Sequence, residues 1–260
     1  MEAESASAAD WRDAAAYASL LDADRSLFAW EWLRRDPAYR AAAGRALPVR
    51  AGKRLEDAAA HPFGLVRFEA PDLTVPHARP LWRLDAHLSV LVAERSAAAG
   101  SEDAFDVERL ADFAMLIRGD SAEHLLLSDG LRAIRLDGPL GLFSEGPARL
   151  RYLIEGLVTV GPRLLALRRF VALCQTGRFA RSLHPREPRA RRWILMLRAW
   201  DALCAGAGQR QIAEVLLSGS AREPRWRSRE PSLRSQSQRL ARAARALAGG
   251  GYLGLLGVRP

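Results

Sequence analysis

Lysine is nearly missing from this chain. Lys53 is the only one, and the other basic residues are arginine and histidine. With so much alanine beside it, this is the signature of a GC-rich coding bias, so arginine abundance is not by itself a recognition signal. Cysteine is scarce too. Cys174 and Cys204 are the only two, too few for a disulfide framework or a zinc site. Each falls in an apolar helical stripe, which predicts two buried small hydrophobes. No window approaches the roughly 18 uninterrupted apolar residues of a membrane span. Residues 1–7 lack a basic and an apolar segment in sequence, so no secretory leader is expected and a cytoplasmic protein is. There is no phosphate-binding glycine loop, no Gly-x-Ser-x-Gly elbow and no His-Glu-x-x-His. The five histidines, 61, 77, 87, 124 and 184, have no ligand spacing. No metal, no cofactor and no catalytic residue is expected. Asp120, Glu123 and His124 are the nearest thing to an acid/base cluster, and an enzyme is the least supported reading.

What is present is an ordinary globular composition, 49% hydrophobic and 27% charged over 260 residues, enough to bury a real core. The net charge of +9 favours a polyanionic partner. Its distribution says more. Residues 181–260 hold 16 arginines against five acids, a net of +11, so the first 180 residues carry −2. Basic charge confined to one end points to a dedicated contact surface.

Along the chain the pattern predicts an α+β protein: a helical N-terminal segment (1–50), a β-rich central region with a small antiparallel sheet (51–146), and a helical C-terminal DNA-binding domain (147–260) whose helix-turn-helix-like core spans 189–256. The N-terminal segment starts with a short helix after Trp11. A second begins near Asp24 or Ser26 and buries Phe28, Trp32 and Leu33, with Trp30 on another side. A third opens at Pro37, a residue suited to the first helical position. Three tryptophans and two tyrosines between Trp11 and Tyr39 are either a small aromatic core or a docking face for another protein. The prolines at 48, 62, 71, 76 and 80 bound short apolar runs, 63–68, 81–84 and 88–92, that read as strands. Residues 106–118 fit either a helical stripe or a strand. The clearest β signal is a hairpin, 124–128 and 131–136, joined by Asp129-Gly130, with Asp137-Gly138 as the next turn. Helices resume at Pro147 or Ala148, and Leu164, Leu167, Val171 and Cys174 mark the stripe of one that follows Gly161-Pro162. After a proline-rich boundary at 181–188, Trp193, Leu197, Trp200 and Cys204 mark another, with Arg191, Arg192, Arg198 and Asp201 off the stripe.

The last stretch carries the functional signal. A two-turn helix at 209–217 buries Ile212, Ala213 and Leu216 and has Gln209, Arg210 and Gln211 in its first turn. Ser218-Gly219-Ser220 supplies a break. A longer helix begins near Pro231 or Ser232. At 100° per residue, Leu233, Leu240, Ala244 and Leu247 fall on one side, and Arg234, Ser235, Gln238, Arg239, Arg242 and Arg245 on the other. Arginine can donate two hydrogen bonds to guanine and glutamine can pair with adenine in the major groove. Arg222, Arg225, Arg227 and Arg229 in the intervening loop suit phosphates. No acid occurs after Glu230 to neutralise that face. The segment 218–231 is longer than the usual turn, so the motif is a variant helix-turn-helix, and loop and helix are both candidates for the groove.

Residues 11–17 and 28–39 resemble the proteobacterial transcriptional regulator-like domain. From about residue 120 onward the chain resembles the RovC-type DNA-binding family, in the Leu-Leu-Leu-Ser-Asp-Gly hairpin at 125–130, in 186–203, in Gln209-Arg210-Gln211-Ile212-Ala213 and in Gly250-Gly251-Tyr252-Leu253. The resemblance implies a non-enzymatic transcription factor binding double-stranded promoter DNA, an activator of type VI secretion or mobile-element genes. It implies a higher-order homo-oligomer, with a hexamer among its forms, and RNA polymerase as a partner; no membrane partner is expected. Relatives are more basic near Ala241 and Ala244, which implies weaker DNA contact per protomer here. Segment 181–260 is expected to bind DNA by itself. The competing readings are an adaptor or anti-activator docking through the N-terminal aromatics, and a single-strand RNA binder.

Overall fold

In the computed structural model, residues 10–47, 55–97, 103–218 and 231–257 are described. Chain order begins with a 3-10 helix, Ala15–Asp22, followed by α1 (Arg25–Leu33) and α2 (Pro37–Ala46). Both α-helices start on an aspartate: Asp24 accepts from Leu27 N–H and Asp36 from Ala38 N–H, satisfying donors that a helix start leaves orphaned. From Ser26 to Leu33 every residue of α1 is buried. Trp30, expected on a side of its own, is as deep as Phe28 and Trp32. α1 is the centre of the fold rather than an amphipathic surface helix. Trp11, Tyr17 and Tyr39 are buried with it, and Tyr39 packs edge-on to Trp30 and Phe63. The aromatics form a core, which leaves an adaptor no exposed aromatic face among them.

The central region has less strand than expected before residue 90. Ala58–Phe63 is a 3-10 helix, and the runs near 65 and 82 meet only in an isolated bridge, Leu65 to Trp82. The strands are β1 (Leu91–Arg95), β2 (Ala104–Phe105), β3 (Ala114–Arg118), β4 (Ala122–Ser128), β5 (Ala133–Pro139) and β6 (Ala148–Leu153). They form one six-stranded sheet in the order β2-β6-β1-β5-β4-β3. The expected small antiparallel sheet is therefore corrected: the sheet is larger, and β1 runs parallel to β5. The hairpin β4–β5 is present, but Ser128 pairs with Ala133, so its turn has four residues. Asp129 closes it by accepting from Leu131 and Arg132 N–H. Gly130 has φ +95°, and a Cβ there would stand 2.4 Å from the Pro76 carbonyl oxygen, so glycine is required twice over. Asp137 and Gly138 continue β5 instead of turning. The expected helix start at 147–148 is strand β6. Arg149 and Arg151 alternate there with Ala148, Leu150 and Tyr152, a period of two.

α3 (Leu157–Thr176) lies on the sheet. It buries Ala166, Phe170 and Leu173 against Leu125, Leu127, Ile134 and Leu136. The stripe expected to be buried is largely the other one: Leu164, Val171 and Cys174 are exposed. α4 (Ala190–Cys204) crosses back to the N-terminal core. Trp193 meets Phe28 with ring centroids 5.0 Å apart, and Leu197, Ala199 and Ala202 are fully buried. Cys204, at its end, is exposed, so neither cysteine is the buried hydrophobe that its stripe suggested. Two residues expected off the packing stripe are inside. Arg198 donates to the carbonyls of Trp11 and Arg12 at 2.8 Å. Asp201 accepts from Tyr17 Oη at 2.6 Å and, through both oxygens, from Arg35 at 2.7 and 2.9 Å. N-terminal helices and α4 thus share one core. Segment 181–260 cut out alone would expose the α4 face that this core covers.

His87 precedes β1 and its Nδ1 is sealed from solvent without a partner. Burial, and then the charges of Arg135 and Arg169, push its pKa down to about 4. The unfolded value is near ~6.5. A depressed folded pKa means stability fully present above about 6.5 and lost as pH falls through about 4. Thermal melts should show Tm dropping across that window. His87→Leu, which orphans no partner, should flatten the drop; an unchanged pH profile would exclude His87 as its source.

Candidate nucleic-acid interface

α5 (Gln209–Leu216) and α6 (Pro231–Ala248) carry the candidate residues. α5 starts at Gly208, whose N–H donates to the Gln211 side-chain oxygen at 2.9 Å. Gln211 therefore closes its own helix start, and only the remainder of its carboxamide is available to a partner. Ile212, Ala213 and Leu216 are buried as expected. Gln209 is half-buried, and Arg210 is exposed at the surface.

α6 is 18 residues long, about 27 Å at 1.5 Å per residue. It lies against α4 and α5. Leu233 packs with Ala213 and Leu217; Leu240, Ala243, Ala244 and Leu247 pack onto the N-terminal core. Ser237 is also buried, its hydroxyl turned back to the Arg234 carbonyl at 2.9 Å, so the polar atom in that seam is hydrogen-bonded. Arg234, Ser235, Gln238, Arg239, Arg242 and Arg245 are exposed along the opposite side. Ala241 and Ala244 are buried at 1% and 0%. The lower basicity there, expected to weaken DNA contact, falls on the packing face and leaves the exposed face untouched.

Among the described residues, Arg234, Arg239, Arg242 and Arg245 have no carboxylate partner. Arg222, Arg225, Arg227 and Arg229 lie outside the described residues. α6 ends at Ala248, where Gly249 N–H still reaches the Arg245 carbonyl and Gly250 takes φ +102°. The next 3-10 helix, Gly251–Leu256, returns to α1 through Tyr252 and Leu256. Arg189, Arg191 and Arg192, exposed at the start of α4, were not among the candidates read from sequence. A local density of arginine was their only signal, and proteins with this coding bias show such density widely.

The alternative acid/base cluster does not converge. Glu123 and His124 are neighbours in a strand, so their side chains leave opposite faces. Glu123 accepts from Phe143 and Ser144 N–H at 2.8 and 3.2 Å and from the Ser144 hydroxyl. His124 Nδ1 lies 2.6 Å from Asp137. Asp120 is exposed beyond both.

Residues 154–257 match the model of the RovC DNA-binding domain, described as a T6SS transcription factor DNA-binding domain. Residues 10–66 match the proteobacterial transcriptional regulator-like domain. Residues 154–257 thus carry a RovC-type DNA-binding domain, behind a regulator-like N-terminal domain. No curated protein and no solved structure matches it. The RovC-type match starts three residues before α3 and ends at Gly257, so it takes in α3 to α6 and leaves out the sheet. The regulator-like match takes in α1, α2 and the aromatic core around them. The chain is thus a transcription factor with a DNA-binding domain. Among the described residues no helix is long and apolar enough to cross a membrane.

Proposed function

We propose that this RovC-type chain activates transcription by laying the Arg/Gln/Ser face of α6 on duplex DNA. The observation that carries the reading is the one-sidedness of α6. Its apolar side is used up in packing, while Arg234, Ser235, Gln238, Arg239, Arg242 and Arg245 are exposed together. A solvated helix face would be laced with acids at i±4, and here none follows Glu230. Arg210 and the arginines at 222, 225, 227 and 229 are assigned to phosphates, which position a reader without specifying sequence. In a variant helix-turn-helix of this kind α5 supports α6, and activation would follow from contact with RNA polymerase at the promoter. Type VI secretion genes are the first targets to test.

The deciding experiment is a titration of the full chain on duplex fragments from its own locus at several salt concentrations. Phosphate neutralisation gives an affinity that falls steeply with salt, a log–log slope of about −0.9 per neutralised phosphate. Preference for single strands would favour the RNA reading, and no binding at low salt would favour the adaptor.

The regulator is further proposed to work as a homo-oligomer, a hexamer being one form. Support comes from α3, where Leu157 is 95% and Val158 79% exposed and Leu164 and Val171 are exposed beside them. Apolar side chains gathered on one helix mark association surfaces. Leu157→Glu/Val158→Glu should convert the oligomer to a smaller species in light scattering with the melting temperature of the fold unchanged. An unchanged mass would exclude this end of α3 from the interface.

A further inference from the structure

A cleft of about 500 Å3 opens where the start of α1, the edge of β5, the first turns of α3 and the 3-10 helix after α6 come together. The sheet makes room for it. β1 joins β5 only from the Leu91–Leu136 pair onward, so Ala133 to Arg135 have no strand beside them on that side. Asp24 fills part of the gap, accepting from Ala133 N–H at 2.9 Å.

Ion pairs take up most of the charge in the wall, and only Asp24 and Arg169 are in none among the described residues. Arg135 is paired with Asp137 at 2.7 Å. At the rim, Arg25 pairs with Glu187 and Arg186 with Asp22. Arg169 is different. Its Nε donates to the Leu183 carbonyl at 2.9 Å, and its Nη atoms have no partner among the described residues. The carboxylate it feels is Asp24, which is beyond ion-pair range. Asp24 already accepts from the Ser26 hydroxyl, Leu27 N–H and Ala133 N–H. Two further donors or acceptors in this wall, His87 Nδ1 and Arg135 Nε, are buried without partners. Apart from Ser89, the wall is otherwise largely apolar, with Leu88, Pro162, Leu165, Ala166 and Leu256.

We propose that this cleft binds a small organic anion, a carboxylate with a compact apolar body. The planar fork of Arg169 holds the carboxylate and Leu165, Ala166 and Leu256 hold the body. Asp24 offsets the charge of Arg169 at a distance, but the Nη atoms of Arg169 remain free to present two parallel donors, the geometry of a carboxylate. A phosphate dianion would need a second unpaired cation, since an unmatched buried charge is costly. Leu256 belongs to the 3-10 helix that joins α6 and touches α1. A ligand against Leu256 is therefore one short helix away from α6. That regulatory consequence rests on α6 being the DNA reader; binding in the cleft does not.

The test uses the full chain without DNA, by calorimetry and thermal melting, with benzoate as probe. Benzyl alcohol keeps the ring without the charge, and inorganic phosphate keeps the charge without the ring. Benzoate should bind saturably and raise Tm, and neither control should. Arg169→Gln should weaken benzoate binding about tenfold or more, the scale of a charge-assisted hydrogen bond. Leu165→Trp, a change at a half-exposed wall position, should block binding with Arg169 in place. Benzoate binding equally to wild type and to both variants overturns the proposal, as does no binding to wild type; benzyl alcohol binding as tightly as benzoate, or phosphate in its place, overturns the carboxylate assignment. In a second arm benzoate should change duplex affinity in wild type but not in Leu165→Trp. Failure of every form to bind duplex would sink the DNA reading and leave the cleft result standing.

Discussion

The full chain carrying Arg234→Ala, Arg239→Ala and Arg242→Ala is expected to melt like wild type and to lose duplex DNA by at least about 100-fold. An arginine that reaches a base edge is worth about 1–3 kcal/mol and one on a phosphate weakens binding to all sequences, and a total of about 3 kcal/mol over the three already corresponds to more than 100-fold at 25 °C. Stability should hold because all three side chains are exposed, make no ion pair among the described residues, and are replaced by the best helix former. Removing three charges should also flatten the salt dependence by about 0.9 for each phosphate no longer neutralised. The two readouts separate roles. An arginine on phosphate changes the slope and weakens all sequences alike; one on a base edge relaxes preference at one position. Unaltered affinity in the triple variant would remove α6 from the interface. Arg222, Arg225, Arg227 and Arg229 would then be the next set to replace. Gln238→Ala separates base reading from charge, since it changes no charge and should alter sequence preference alone.

How much of the fold and of the candidate interface is legible in the sequence depends on whether a signal is local. The wheel of α6 is, because its two sides differ in kind: the six polar residues outside, Leu233 and Ala244 inside. The cap at Asp24 and Pro37 at the start of α2 are legible for the same reason. α3 is not, because both of its sides are apolar. Periodicity finds a stripe at Leu164, Val171 and Cys174 as readily as one at Ala166, Phe170 and Leu173, and only the sheet beneath decides between them. β6 is legible in principle. Its arginines alternate with apolar residues, but Pro147 ahead of it reads as a helix start. The parallel pairing of β1 with β5 cannot be read, since it joins residues more than forty apart with no local mark. Nor can the burial of Arg198 and Asp201, whose partners Trp11, Arg12 and Arg35 lie at the other end of the chain. Polar residues off a stripe are ordinarily solvated; these are inside because the N-terminal helices bring the matching groups.

Those same long-range contacts lead to the largest expected loss of stability. Arg35→Ala should destabilise the fold by about 3–5 kcal/mol, the usual result of removing one partner from a buried ion pair. The Arg35 side chain, 11% exposed, lies between Glu31 at 4% and Asp201 at 8%. It donates to Glu31 at 2.5 Å and to both oxygens of Asp201. Burial alone would push the Glu31 carboxyl up, but Arg35 and then Arg34 hold it below its ordinary value. Alanine would leave Asp201 with the Tyr17 hydroxyl and Glu31 with Arg34 and Val75 N–H, two carboxylates against one guanidinium. The cost should therefore shrink when the charges leave together. Arg35→Met/Asp201→Leu, close in volume and apolar, should be more stable than Arg35→Ala, because Glu31 keeps Arg34 as its partner and no charge is left unmatched. Chemical denaturation of the variants measures both. If the double replacement were no better than Arg35→Ala, the loss would come from packing, not from orphaned charge. DNA binding supplies a second check. Asp201 is on α4, against which α6 packs, so Arg35→Ala should lose duplex binding in step with the unfolded fraction and recover it on cooling. Loss of binding in a chain still fully folded would instead give Arg35 a direct part in holding α6.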